Sequence, residues 1–111
     1  MAITIELRRT QLTILCNHNQ IFDLQQQPLN LCDEFQAIWQ GLYPEYLSRA
    51  DEVVFNNLDG GFTDTRIVMI WLRTLAMFVQ DVKITKQDSG GLSVISDTIG
   101  YNSQPKIGQK I

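Results

Sequence analysis

No run in this sequence approaches the roughly 18 consecutive apolar residues that a membrane-crossing helix needs; the longest, 67–72, is far shorter. A basic-then-apolar leader is missing as well, so neither a signal peptide nor a membrane partner is expected, and the chain reads as cytoplasmic. Cysteine is scarce. Cys16 and Cys32 make no CxxC pair and have no clustered histidines, which excludes a disulfide framework and leaves no metal site; both read as reduced, partly buried thiols. The single histidine, His18, has neither a neighbouring nucleophile nor metal-ligand spacing, so it is expected as an exposed turn residue. Charge is sparse too, at 19% of residues, so some apolar surface is expected to be covered by a partner. The 9 basic residues are scattered apart from the Arg8–Arg9 pair, and the net charge is −3. Without a basic stripe, direct binding to nucleic acid is not expected. A length of 111 residues allows one domain with a real core, not two lobes with a cleft between them.

What is present begins with alternation. Ile3, Ile5 and Leu7, then Leu12, Ile14 and Cys16, then Ile21 and Leu24 read as three paired strands in an antiparallel meander. Asn17, His18 and Asn19 suit a tight turn, because Asn tolerates positive φ, and 9–11 joins the first two strands. After Pro28 the period changes from two to about 3.6. Asn30 is placed to cap a helix, Asp33 and Glu34 lie in its first turn, and Leu31, Phe35, Ile38, Trp39, Leu42 and Tyr46 form one apolar stripe. Pro44 ends that helix near Leu42 or Tyr43. Val53, Val54 and Phe55 give a fourth strand, and Val82, Ile84 and Thr85 a fifth, parallel to it across a helix. The fold class that results is α/β, a single mixed sheet of about five strands in the order βββ-α-β-α-β with helices on one face. The lobe occupies 1–88. Residues 89–111, with Gly100, Asn102, Pro105 and Gly108 and no periodicity, read as an irregular tail, apart from a possible extended segment at 92–95.

The second helix, placed at 65–80, is apolar nearly all round, with only Arg66, Arg73, Thr74 and Gln80 for a polar side. A sheet contacts one stripe of a helix, so the remainder must meet the first helix or another subunit. The expected interface residues are Phe35, Trp39, Met69, Trp71, Leu72, Leu75, Met77 and Phe78; the alternative is a wholly internal helix.

Between the fourth strand and this helix lies a glycine loop, 59–64, with Thr63 or Asp64 available as a cap. A helix start attracts phosphate through unpaired N–H groups and its dipole, which makes Gly60, Gly61, Thr63 and Arg66 the weak candidates for a nucleotide or phosphometabolite site. Asp59 and Asp64 oppose an anion there, and no Gly-Lys-Ser/Thr follows to make a P-loop. The other role open to Arg66 is to tie down loop carbonyls or Asp59. No base is clustered with a nucleophile, so no catalytic residue is assigned, no cofactor is expected and the chain is read as non-enzymatic.

Residues 59–67, Asp-Gly-Gly-Phe-Thr-Asp-Thr-Arg-Ile, preceded by a strand and followed by an apolar helix, resemble the Gly-Pro-Gly-Ser-Phe-Thr-Gly-x-Arg-Ile motif of the TsaB/YeaZ family. That family is the bacterial accessory subunit that helps make threonylcarbamoyladenosine on tRNA, within the actin/Hsp70/sugar-kinase superfamily. Gly60, Phe62, Thr63, Arg66 and Ile67 agree with the motif; Asp59, Gly61 and Asp64 replace its proline, serine and glycine. The superfamily's Asp-bearing phosphate turn has no match in 5–10, where Glu6 reads as a residue on the outer face of its strand. The resemblance runs from residue 1 to about 88 and implies the first lobe alone, truncated and divergent. It implies half of an actin/Hsp70-like ATPase fold, and a non-catalytic scaffold in tRNA modification that forms a homodimer, or a heterodimer with a catalytic paralogue, through its two helices.

Overall fold

The computed structural model of the chain describes residues 1–88 and 91–94. Strands β1 (Ala2–Leu7), β2 (Gln11–Cys16) and β3 (Asn19–Gln25) form the antiparallel meander. Helix α1 (Leu31–Leu42), a 3-10 turn at Leu47–Arg49, strand β4 (Glu52–Asn57), helix α2 (Phe62–Phe78) and strands β5 (Lys83–Asp88) and β6 (Gly91–Val94) follow. The sheet order is β3-β2-β1-β4-β5-β6. β4 lies parallel to both β1 and β5, and the other neighbours are antiparallel. The order 3-2-1-4-5 with two helices is the single mixed βββ-α-β-α-β sheet expected from the sequence. β6 adds a strand beyond it, and the rest of 89–111 lies outside the described residues.

Side-chain alternation decides which face the helices cover. Ile3, Ile5, Leu7, Leu12, Ile14, Val53, Phe55 and Ile84 all point to one face and are almost fully buried, because their registers place them side by side across β2, β1, β4 and β5. Leu31, Ile38 and Leu42 from α1 and Val68, Trp71, Leu72 and Leu75 from α2 close this layer. The opposite face presents Thr4, Glu6, Thr13, Val54 and Thr85. There the Thr13 hydroxyl and the Gln11 amide both donate to Asp23 Oδ1 across the strand pair, at 2.8 and 2.9 Å.

Three local expectations are corrected. Ile21 does not share the inward register with Leu24: a bulge between Ile14 and Leu15 absorbs it, so Phe22 faces Ile14 and Leu24 faces Leu12. Asn30 precedes α1 but lies in the left-handed region, φ 54°, and its side chain makes no cap bond. α2 begins at Phe62 rather than 65, with Gly61 at the N-cap position, so Thr63 and Asp64 are inside the first turn instead of capping it. Thr65 shows why: its N–H and its hydroxyl both donate to the Gly61 carbonyl, at 2.9 and 2.8 Å, which commits that residue to the helix interior.

Candidate functional site

The carboxyl ends of the parallel strands β1 and β4 lie together, the position where open α/β sheets hold ligands. The loop 58–61 crosses this end. The Leu58 and Asp59 N–H groups donate to the Leu7 carbonyl at 2.9 and 3.4 Å, so the loop prolongs the β1–β4 ladder before turning into α2. Asn57 turns the corner. By alternation it follows Val53 and Phe55 toward the core, and its amide is used at both ends: Oδ1 accepts from the Gly60 N–H at 3.0 Å, and Nδ2 donates to the Thr65 hydroxyl at 3.3 Å.

Gly60 is fixed by space. A Cβ there would stand 2.4 Å from Leu7 Cδ2, 2.6 Å from Leu7 Cγ and 2.9 Å from Asn57 Oδ1, and Leu7 is fully buried. Gly61 differs, since the nearest atom to its Cβ position is Asp64 Oδ2 at 3.8 Å.

Both acids of the loop bind protein backbone. Asp59 Oδ1 accepts from the Arg9 N–H at 3.1 Å, which ties the loop to the β1–β2 turn. Asp64 Oδ1 accepts from the Leu31 N–H at 3.3 Å, so the first turn of α2 supplies the start of α1 with the acceptor that Asn30 withholds. The N-termini of the two helices thus share one carboxylate, a favourable use of a negative charge at two positive dipole ends. For a phosphate the same arrangement is poor, because the Gly60 N–H is occupied and carboxylates stand on both sides of the helix start.

Arg66 neither ties down the loop nor meets Asp59, contrary to that reading of the sequence. Its guanidinium lies 5.4 Å from the centre of the Phe62 ring, in cation–π geometry on the outside of α2. Thr63 is exposed beside it. Glu6, on the sheet face away from the helices, pairs loosely with Arg8 at 3.8 Å. Among the described residues no group of His, Cys, Asp and Glu could hold a metal ion, and no helix is long and apolar enough to cross a membrane.

The residues read as an interface divide into three environments. Trp71, Leu72 and Leu75 are inside the protomer, with Trp71 only 5% exposed, because they lie on the α2 stripe that meets the sheet and α1. Phe35, Trp39 and Met69 are half-buried. Met77 and Phe78 are open, at 77% and 63% exposure. The aromatic rings form two groups: Phe35 meets Trp71 at 5.4 Å, and separately Trp39 stacks on Tyr43 at 5.1 Å while Tyr43 meets Phe78 edge-on at 6.4 Å. Sequence reasoning missed Asn57 and Leu7 at the loop. The available signal was an amide at an inward position of β4, where an unpaired polar group is costly and must therefore find partners.

No family model matches the sequence, and no curated protein matches it. The chain is similar to a solved structure, YeaZ from Pseudomonas aeruginosa, with a TM-score of 0.46 and 17% identity over 78% of this chain and 43% of that one. It therefore spans less than half the length of that structure. YeaZ belongs to the family that the 59–67 motif resembles.

Proposed function

We propose that the chain is a non-catalytic docking scaffold, a single actin-like lobe that seats a second protein at the carboxyl ends of its two helices. The role that the 59–67 resemblance implies, assistance to threonylcarbamoyladenosine formation on tRNA, is the process we assign to it. The observation that carries the reading is the patch formed by Met77 and Phe78 with the Trp39–Tyr43 stack. Apolar side chains this exposed and this close together on a small chain are a contact surface, and Met and aromatic residues are the types that interfaces enrich. The partner is a second copy or a catalytic paralogue.

Light scattering after gel filtration, on the chain alone and mixed with the host's catalytic paralogue, tests this. An assembly larger than the monomer is expected in one of the two samples. Met77→Glu and Phe78→Glu should disperse it while far-UV circular dichroism stays unchanged. Trp71→Glu should instead unfold the chain, because it places an unpaired charge in the core. A strict monomer under both conditions overturns the proposal.

A further inference from the structure

Arg66 and Arg73 stand seven residues apart on the outward side of α2, both exposed, and with Met69 and Ile70 between them they line a shallow trough. Along a helix that spacing separates them by about 10 Å. Neither guanidinium has an ion pair among the described residues, and the charged residues of α1 are Asp33 and Glu34. Arg66 is also held in place by its stacking on Phe62. The trough therefore has an apolar floor and, at each end, a cation without an ion pair among the described residues.

A surface laid over it strips water from both guanidiniums, and a charge left dry and unpaired is costly. The occupant must bring two carboxylates at matching spacing. A second copy paired symmetrically about the trough cannot supply them. In a parallel two-fold pairing centred on the trough, each arginine faces its own equivalent; in an antiparallel one, Arg66 faces the copy's Arg73 and the reverse. Both arrangements set like charges together.

We infer that this trough is the seat of a heterologous amphipathic helix that carries two carboxylates seven residues apart with apolar side chains between them, and that it rejects self-pairing. The inference rests on the docking reading above and supplies the chemistry of the partner.

The probe is a labelled amphipathic helical peptide of about 18 residues, long enough to hold helical structure, with Glu at the two flanking positions, and its twin with Lys there. Binding to the 111-residue chain is read by fluorescence anisotropy at about 50 mM salt, where screening is weak. The Glu peptide should bind about ten-fold tighter or better than the Lys peptide, and Arg66→Glu/Arg73→Glu should reverse the preference. Equal binding, no binding of either peptide, or an unreversed preference overturns the inference. The peptide preference is read on the isolated chain, so a protein that proves monomeric in light scattering speaks against the docking reading alone.

Discussion

Gly60→Ala introduces a methyl group where Leu7 already is, and the consequence follows from the distances. The new Cβ would sit 2.4 and 2.6 Å from two Leu7 carbons and 2.9 Å from Asn57 Oδ1, well inside contact distance. Leu7 is wholly buried in the sheet layer and Asn57 is held by the bonds that shape the loop. The strain has to be relieved by moving one of them, and overpacking of this kind costs about 1–3 kcal/mol, a large share of the roughly 5–15 kcal/mol that a domain possesses. Leu7→Ala alone should cost about 2–5 kcal/mol by leaving a cavity. In the double variant the added methyl enters the vacated space, so its cost should fall short of the sum by about 1–3 kcal/mol. Gly61→Ala is the control. Its Cβ meets nothing closer than 3.8 Å and its φ of −65° suits alanine, so the lost cap preference and the gained rigidity should cancel within about 0.5 kcal/mol. Urea unfolding followed by circular dichroism measures all four proteins. Gly60→Ala of wild-type stability, or a strictly additive cycle, would refute the packing argument and leave close approach of a ligand to the backbone as the reason for glycine.

Asp64→Ala should lower stability by about 1 kcal/mol, because it removes the acceptor at the start of α1 and an acid from the start of α2. Asp64→Asn should recover part of that in the same urea assay, and a neutral Asp64→Ala would discount the cap. Trp71→Phe should change stability by less than about 1 kcal/mol. Losing roughly 40 Å³ of ring beside an existing apolar cavity of about 20 Å³ costs about 1 kcal/mol. That loss is offset by removing an indole N–H that is buried and has no acceptor among the described residues. A loss above about 3 kcal/mol, the range expected for Trp71→Ala, would show that the N–H is satisfied after all.

The order of elements was legible because period signals are local. Two-residue alternation in 3–7, 12–16 and 53–55 and the stripe through Ile38 and Leu42 each lie within one element, and each marked its own buried face. The turn at Asn17 and His18, with φ of 50° and 73°, was readable from residue types that tolerate positive φ. The bulge at Ile21 was not, since it depends on how β2 and β3 are registered. At the loop, sequence reasoning found the glycines and the acids but not their purposes. Gly60 is glycine because of Leu7, Asp59 answers Arg9, and Asp64 answers Leu31, partners 33 to 53 positions away whose proximity exists only once β1, β4 and the two helices have assembled. The sequence by itself determined that α2 carries more apolar surface than one sheet face can cover. Which part of that surface is left over was decided by tertiary structure alone. Crossing the sheet next to α1 buries Val68, Trp71, Leu72 and Leu75 and leaves Phe62, Ile70, Met77 and Phe78 outside, because the angle at which a helix lies on a sheet selects one stripe of it, and nothing within the helix records that angle.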